Sequence, residues 1–265
     1  MDDFYYNYEV FFVLNNLNVF EGMTSISALI NAIKSDKNDR KIYEILFDKS
    51  KIKSKHRELS FLKANADILG YELKICDASQ IDDLANGTSH GGIIALCGDR
   101  IIQNLSENNI VPDGVYYMFE GIEDPYNFGN SIRSVYAAGA DGIIVGKRNW
   151  MGAAGVVARS SAGTSELIDM YVTDTAEGAL ELFKSAGYSI ICAGIRDSVD
   201  LFEADLKKPL FVIIGGEKRG ISRAVLDMAD QIVRIDYQKD FRGSLSTSAS
   251  AAIFAFEINR KSRNL

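Results

Sequence analysis

The stretch DPYNFGNSIR contains polar residues whose types and spacing could serve chemistry. Asn127, Gly129 and Arg133 lie where a hydrophobic strand pattern gives way to the pattern of an amphipathic helix. Glycine lets a ligand or another backbone segment approach closely, and arginine carries a permanent charge on a planar fork of donors. Taken alone, the stretch is more typical of an asparagine that caps a helix and an arginine on its surface.

A second stretch, IIGGEKRGIS, ends a hydrophobic strand with Gly215, Glu217 and Gly220. In α/β sheets, ligands bind outside the carboxyl ends of the strands, which is where this loop must lie. A dinucleotide-binding turn reads G-x-G-x-x-G, whereas here a carboxylate stands near the position of the pyrophosphate and disfavours phosphate. The loop therefore favours a ligand with positive charge or with hydroxyl and amine donors.

The third stretch, DFRGSLSTSASAAIFAFEI, contains a run of small residues at the start of the last predicted helix. Small residues at such a place are typical of close helix packing. Each of the three stretches is a weak signal by itself, but their order along one chain is specific.

In this order the stretches resemble the three motifs of the SpoU, or TrmH-like, branch of the SPOUT RNA methyltransferases. The first motif reads D-P-x-N-x-G-x-x-x-R, the second G-x-E-x-x-G, and the third ends in S-L-N-x-S before a small-residue helix. The matching residues are Asp124, Pro125, Asn127, Gly129 and Arg133, then Gly215, Glu217 and Gly220, then Ile235, Ser244, Leu245 and Ser248. The segment ARSSAG, Arg159 to Gly163, also looks like the segment that this family has between the first two motifs.

The resemblance implies methyl transfer from S-adenosylmethionine to a ribose 2′-hydroxyl of structured RNA, ribosomal or transfer RNA. It implies a homodimer whose C-terminal half is an α/β trefoil-knot domain with a parallel sheet. The implied catalytic residues are Asn127, Arg133, Glu217, Ser244 and Ser246, and the implied cofactor-binding residues are Gly215, Ile235 and Leu245.

Two residues depart from the family pattern: Asp236 stands where proline is usual, and Ser246 where asparagine is usual. Because that asparagine belongs to the family's active site, a non-catalytic RNA-binding relative stays an alternative. A dinucleotide-binding oxidoreductase is a second alternative, which rests only on the glycine-rich strand ends.

Roles for the implied catalytic residues follow from their chemistry. Both histidines, His56 and His90, lie in the first half, so the second half has no imidazole base. Because a guanidinium stays protonated, we expect Arg133 to hold a phosphate and stabilise the forming alkoxide while phosphate or water accepts the proton. Asn127 would orient the hydroxyl or Arg133, and Glu217 would fix the arginine or accept donors from the substrate.

Alternating helix and strand patterns predict an α/β fold in both halves. The polar stretch GDRIIQNLSENNIVPDG predicts a linker, so we expect a substrate-binding α/β domain over 1–107 and the methyltransferase domain over 108–265. The predicted strands are IYEILFD, YELKIC, GIIALC, VYYMFEG, GIIVG, LIDMYV, YSIICAG, LFVIIGG and QIVRID. The predicted helices lie at 24–35 with Thr24 or Ser25 as cap, before Gly70, after Asp77, at 128–138, 151–160 and 175–186, and from Thr247.

Two features of the first half are candidates for RNA contact. In KSKIKSKHR, cations at every second position would project to one side of an extended chain and track phosphates, although a solvated loop is equally consistent. These cations are Lys49, Lys51, Lys53, Lys55 and Arg57. The segment SHGGIIAL resembles the family element H-Q-G-x-x-A, which makes His90 either an RNA contact or the partner of a local backbone group.

Composition restricts the class of protein. The chain is 47% hydrophobic, carries a net charge of −7 and has no apolar run near the roughly 18 residues of a membrane span. Its N-terminus MDDFYYNYEVFF opens with acids instead of the basic segment of a secretory signal, which predicts a cytoplasmic protein. Cys76, Cys97 and Cys192 each end an apolar run, so we expect buried thiols and neither a disulfide nor a metal site.

Overall fold

The computed structural model describes residues 17–146 and 153–263. They form two compact units, one of residues 17–101 and 153–167, the other of residues 102–146 and 168–263. The helices and strands are β1 (Asn18–Glu21), α1 (Gly22–Lys34), β2 (Ile42–Asp48), α2 (His56–Leu69), β3 (Glu72–Cys76), α3 (Ala78–Asp82), β4 (Ile93–Cys97), β5 (Gln103–Asn104), β6 (Val115–Glu120), α4 (Pro125–Ala137), β7 (Gly142–Gly146), α5 (Ala154–Ser160), β8 (Asp169–Thr173), α6 (Ala176–Ser185), β9 (Ser189–Ala193), β10 (Val199–Asp200), β11 (Leu210–Gly215), α7 (Arg223–Asp227), β12 (Gln231–Arg234) and α8 (Thr247–Ser262).

The first unit contains a four-stranded sheet in the order β1-β4-β2-β3. Strand β4 pairs antiparallel with β1 and β2, and β2 pairs parallel with β3. The apolar stripe of α1 and two leucines of α2 are buried, as their helical spacing predicts. Gly70 ends α2 with φ of 70°, a left-handed conformation that glycine adopts without a steric penalty.

Helix α5 packs in the first unit, although its sequence lies between two strands of the second. The buried carboxylate of Glu166 accepts hydrogen bonds from Arg40 Nε at 3.1 Å and from Asn38 Nδ2 at 2.8 Å. Arg159 donates to the buried carboxylate of Glu21 at 2.6 Å. By packing, residues 153–167 thus belong with the first unit and 102–107 with the second, and the division into domains 1–107 and 108–265 stays a prediction about function.

The second unit is built on an eight-stranded sheet in the order β10-β12-β9-β11-β6-β7-β8-β5, in which every neighbouring pair is parallel. Strand β11 lies inside the sheet and is apolar throughout, as its sequence predicts. Successive residues of β6 face opposite sides of the sheet. Tyr116 joins a core cluster with Phe183 of α6, and Tyr117 lines a cavity of about 220 Å³ with Ala255 and Ile258 of α8.

Two predicted helix starts are wrong. Helix α1 begins at Gly22, before the predicted caps Thr24 and Ser25. Helix α4 begins at Pro125 because Asp124 is its N-cap and accepts the N–H of Asn127 at 2.7 Å. Asn127 therefore lies inside the first turn of α4, with its side chain free for other contacts.

The three cysteines are buried and unpaired. Burial raises the pKa of the Cys192 thiol to about 12 and also raises the pKa of Cys76 and Cys97, which disfavours the reactive thiolate form. In residues 17–146 and 153–263, no helix is long and apolar enough to cross a membrane, and no three His, Cys, Asp or Glu side chains are grouped to hold a metal ion. Residues 1–12, on which the prediction about a signal segment rests, lie outside the described part.

Candidate active site

The loops that carry the first two motifs leave the sheet side by side. Strands β6 and β11 are parallel neighbours whose last residues, Glu120 and Gly215, are paired. A Cβ atom on Gly216 would lie 2.4 Å from the carbonyl oxygen of Gly121, and one on Gly215 would lie 2.7 Å from the backbone of Gly220. Glycine is required at both positions because other backbone passes there, so the space at Gly215 is filled by the protein itself.

Glu217 joins the three motif segments. Its Oε1 atom accepts a hydrogen bond from Asn127 Nδ2 at 2.9 Å and from the backbone N–H of Thr247 at 3.0 Å. Asn127 belongs to the first motif and Glu217 to the second, while Thr247 is the variable position of the third motif and the first residue of α8. Asn127 and Thr247, which are more than a hundred residues apart in the chain, are thus bound to one carboxylate. Hydrogen bonds from N–H groups to a carboxylate are stronger than those to a neutral acceptor.

Thr247 is a site residue that the sequence did not single out. Its hydroxyl donates to the carbonyl oxygen of Gly215 at 2.9 Å, while its N–H donates to Glu217. The residue is 2% exposed, which is low for a polar side chain at a helix start. The signal was present in the third motif, because a hydroxyl within a run of small residues can bind a neighbouring strand end as well as allow packing.

The two polar atoms of the Asn127 side chain differ in their contacts. Its amide nitrogen is engaged by Glu217, and within the described residues its amide oxygen accepts no hydrogen bond. That oxygen can accept a hydrogen bond from a substrate hydroxyl. The geometry fits the first of the two roles expected for Asn127 and replaces the helix-cap interpretation.

Arg133 is exposed on α4, next to the buried stripe of Phe128, Ile132 and Val135. Within the ranges that the structure describes, its guanidinium makes no hydrogen bond or ion pair. Glu217 is engaged by Asn127 and Thr247, so it does not fix this arginine in the chain as folded here. Arg133 is therefore a charged group available to an anionic partner.

The third motif lies at the start of α8. Ser246 is the N-cap of this helix: its Oγ accepts the N–H of Ala249 at 3.2 Å and lies 3.1 Å from the hydroxyl of Ser248. The N–H of Leu245 donates to the hydroxyl of Tyr237 at 3.1 Å. Ser244 is exposed, and its hydroxyl has no hydrogen bond within the described part of the chain. The serine that replaces asparagine thus has a clear structural task.

Asp236, the other departure from the family pattern, binds its neighbour Arg234. Two hydrogen bonds of 2.6 and 3.2 Å join the carboxylate to the guanidinium, which also donates to the carbonyl oxygen of Ser198. The hydrogen bond from Arg234 lowers the pKa of Asp236. Asp236 is thus engaged in a local ion pair at the end of β12.

The candidate RNA contacts of the first unit differ from the prediction. The extended geometry assumed for the lysine-rich segment is wrong, because Lys49–Lys51 form a turn of 3₁₀ helix and Arg57 lies in α2. Lys49 pairs with Asp77 at 2.5 Å. Nδ1 of His90 accepts the N–H of Gly92, and its Nε2 lies 3.1 Å from Asp82, so this histidine satisfies local groups.

Comparison with known proteins identifies relatives along most of the chain. Residues 114–256, more than half of the chain, match the model of the SpoU rRNA Methylase family. The 23S rRNA (guanosine-2'-O-)-methyltransferase RlmB of Shewanella oneidensis is 29% identical over 213 residues, which cover 78% of this chain and 85% of that protein. A protein of the same name from Burkholderia sp is 25% identical over 248 residues, covering 92% of this chain and 97% of its own.

Solved structures share the fold. One described as an RNA 2'-O ribose methyltransferase superposes with a TM-score of 0.77 at 22% identity, covering 94% of this chain and 90% of that one. The SpoU methyltransferase AviRb of Streptomyces viridochromogenes, solved with AdoMet, gives a TM-score of 0.75 at 20% identity, covering 94% and 91%. The predicted fold class, a SPOUT α/β domain with a parallel sheet after a small α/β domain, is confirmed.

The fold of this chain is that of solved SpoU and RNA 2'-O ribose methyltransferases. The chain belongs to the SpoU rRNA methylase family. The resemblance stated from the three motifs is thereby confirmed, and with it the expectation of an enzyme that methylates RNA.

Proposed function

We propose that this chain transfers the methyl group of S-adenosylmethionine to a ribose 2′-hydroxyl of structured ribosomal or transfer RNA. The observation that carries the proposal is the pair of hydrogen bonds on Glu217 Oε1, which brings the three motif segments together at one end of the sheet. Family membership sets the reaction class, and relatives named for 2′-O-methylation support the ribose hydroxyl as acceptor.

The residues at this edge suit the proposed cofactor. Ile235 and Leu245 are half-buried apolar side chains beside the third motif and would cover the adenine ring, and Gly215 would contribute backbone. The carboxylate of Glu217 complements a positively charged ligand, as its place after a strand end suggested. When bound, S-adenosylmethionine supplies an electrophilic methyl group on its sulfonium, so the protein's task is to align and activate the hydroxyl.

Arg133 and Asn127 divide that task. The free amide oxygen of Asn127 accepts the hydrogen of the 2′-hydroxyl and orients it. Arg133 pairs with the neighbouring phosphate and with the alkoxide as charge develops, and a phosphate oxygen or water takes the proton. Ser244 and Ser246 complete the site as hydroxyl donors at the start of α8. The second unit itself contains no histidine that could serve as a base.

The acceptor atom is tested with RNA from cells that lack this gene and with S-adenosylmethionine labelled in its methyl group. We expect label in RNA as 2′-O-methylnucleoside after nuclease digestion. A synthetic substrate with 2′-deoxyribose at the mapped nucleotide should bind and accept no methyl, because its nucleophile is missing. Methylation of the deoxy substrate, or label only on bases, would overturn the ribose assignment.

Variants of Arg133 test its role. Arg133→Ala should lower kcat by orders of magnitude and leave the dissociation constant of S-adenosylmethionine nearly unchanged, because the interaction strengthens only in the transition state. Arg133→Lys keeps the charge without the planar fork and should recover only a small part of the rate. Another exposed arginine of the second unit, Arg223, which pairs with Asp227, provides the matched control.

The chain also has a surface suited to a homodimer, and we include that assembly in the proposal. Tyr126 and Tyr136 of α4 and Phe256 of α8 are 47%, 38% and 53% exposed, and the two helices pack against each other. Exposed aromatic side chains on adjacent helices are typical of an interface. Light scattering should give twice the chain mass of 29.2 kDa, and Phe256→Glu should shift it toward the monomer.

We assign RNA binding to the predicted domain 1–107. Support comes from the cations that follow β2: Lys53 and Arg57 are exposed, Lys55 is half-buried, and none of the three forms an ion pair in the part of the chain that the structure describes. His90 is assigned no direct RNA contact here, since both of its nitrogens are engaged. A cytoplasmic location follows from the proposed substrate, because ribosomal and transfer RNA occur there.

A further inference from the structure

The loop between β12 and the third motif exposes two aromatic rings. Tyr237 is 39% exposed and Phe241 53% exposed, and their ring centroids are 5.5 Å apart with an interplanar angle of 62°. An edge-to-face pair leaves ring faces uncovered, in contrast to a stacked pair. We call residues 237–242 the aromatic loop.

The aromatic loop is fixed to the candidate active site. The hydroxyl of Tyr237 accepts the N–H of Leu245 at 3.1 Å, within the third motif. Phe241 lies over the backbone of Gly243, where a Cβ atom would come within 2.6 Å of the ring. Tyr237 is thus bonded to the third motif, and the ring of Phe241 packs against Gly243, the residue before Ser244.

Cations flank the rings. Lys239 and Arg242 are exposed, and within residues 17–146 and 153–263 neither forms a hydrogen bond or ion pair. Asp240 lies between them and leaves the loop with a net charge of +1, in a chain whose total is −7. Exposed aromatic rings between lysine and arginine are the combination by which proteins hold unpaired nucleotides, the rings by stacking on bases and the cations by pairing with phosphates.

We propose that the aromatic loop binds an unpaired RNA nucleobase beside the methylated ribose. The base stacks on Phe241, Tyr237 supports that ring from its edge, and Lys239 and Arg242 contact the flanking phosphates. The inference rests on the proposed function and deepens it: the substrate nucleotide lies in a loop, bulge or unstacked strand, because a base within a helix presents no free face.

The test combines RNA affinity, cofactor affinity and methyl transfer in the full chain. Phe241→Ala and Phe241→Leu should each weaken binding of a short unpaired RNA and raise the KM for substrate RNA by about 5-fold to 100-fold, because both lose the aromatic face. Phe241→Trp should bind at least as tightly as the unchanged protein. The dissociation constant of S-adenosylmethionine should stay within about twofold in all three, since stacking on RNA leaves the cofactor pocket intact.

Phe202→Ala is the matched control, because Phe202 is 59% exposed in the same unit and has no assigned role. It should leave all three measurements unchanged. Replacing Lys239 and Arg242 with alanine should flatten the dependence of log affinity on log salt by about 1.4, the value for two contacts with single-stranded phosphate. An unchanged slope would remove the cations from the proposal.

Three results overturn the aromatic loop as a base-binding site. The first is an RNA affinity of Phe241→Ala equal to that of the unchanged protein. The second is a loss of RNA affinity in Phe202→Ala as large as the loss in Phe241→Ala. A loss of S-adenosylmethionine affinity as large as the loss for RNA would assign the loop to the cofactor pocket instead. Failure of the proposed function gives a different result, in which the protein without any substitution transfers no methyl group to RNA. In that case the binding of unpaired RNA to the Phe241 variants still tests the aromatic loop.

Discussion

At the scale of single residues, the site depends on groups that each satisfy more than one partner. Glu217 accepts from two motif segments, and Thr247 donates to two groups of the second motif, the carboxylate of Glu217 and the carbonyl oxygen of Gly215. The motif letters identified Glu217 and Asn127 but said nothing of Thr247, because its contribution is a backbone N–H and a hydroxyl directed at a strand end. Ser246 shows the same duality, since the position that marks a departure from the family also caps a helix.

Variants of Ser246 separate capping from catalysis. Ser246→Ala removes the acceptor for the N–H of Ala249 and should lower the free energy of unfolding by about 1 kcal/mol. Ser246→Gly lacks the hydroxyl but costs a helix start only a few tenths of a kcal/mol, and Ser246→Asn caps as well as serine. Urea unfolding and methyl-transfer rates measured on all three give the comparison.

If the hydroxyl takes part in catalysis, both Ser246→Ala and Ser246→Gly lose activity, and Ser246→Asn keeps it or gains. If it only caps α8, Ser246→Gly retains the rate of the unchanged protein. If Ser246→Asn is less active than the unchanged protein, the site has adapted to the smaller side chain.

At the scale of elements, hydrophobic periodicity located most strands and helices, and local contacts determined where they begin. Spacing predicted the stripe of α4, but its first residue depended on the capping contact of Asp124, one residue before the proline. The extended geometry predicted for the lysine-rich segment is wrong for a related reason. An alternating charge pattern predicts a strand, yet the side chain of Asp48 accepts the N–H of Ser50 and starts a 3₁₀ turn instead.

Helix α5 supplies a stability prediction. A Cβ atom on Gly155 would lie 1.9 Å from the carbonyl oxygen of Val19 in β1, and backbone at that position cannot rotate away. Gly155→Ala should therefore destabilise the protein by about 1–3 kcal/mol through overpacking, although alanine alone favours a helix by about 1 kcal/mol. Gly146→Ala is the control, since nothing lies within 4 Å of its Cβ position. Equal urea midpoints for the two variants would contradict this packing.

Helix α8 carries a pH-dependent contact. Hydrogen bonds from Arg260 of 2.7 and 2.8 Å lower the pKa of Glu257, whose side chain is nearly buried. Since the folded pKa is depressed, the contact stabilises the protein above the unfolded value of about 4.5, and that stability is lost as pH falls through the folded pKa. Glu257→Gln should be less stable than the unchanged protein at neutral pH, and the difference should shrink below about pH 4.5. A difference independent of pH would indicate packing alone.

At the scale of the whole molecule, the sequence indicated two α/β parts and the family but not how the chain divides between the compact units. The segment before residue 108 is polar, which predicted a linker, yet its residues Gln103–Asn104 form a strand that pairs with β8 in the large sheet. Residues 153–167 pack in the first unit through charges that are far apart in sequence, such as Arg40 and Glu166. Periodicity describes neighbours along a chain, and such long-range pairings leave no periodic trace.

Charge distribution is the other property of the whole molecule, and it bears on RNA binding. A chain with a net charge of −7 binds a polyanion only where cations cluster free of acids. Lys53 and Lys55 meet this condition within the described residues, whereas Lys49 is paired with Asp77. The turn after β2 keeps these side chains exposed or half-exposed even though the predicted extended geometry is wrong.

Replacing Lys51, Lys53 and Lys55 with alanine should weaken binding of structured RNA and reduce the slope of log affinity against log salt by about two to three, because each lost phosphate contact removes roughly 0.7–0.9. Affinity for S-adenosylmethionine should not change, since phosphate contacts position RNA and take no part in cofactor binding. Lys184→Ala together with Lys207→Ala is the control, because both lysines pair with acids in the second unit. RNA affinity and salt slope that match this control would return the segment to the role of a solvated loop, and RNA would then have to be held by the second unit alone.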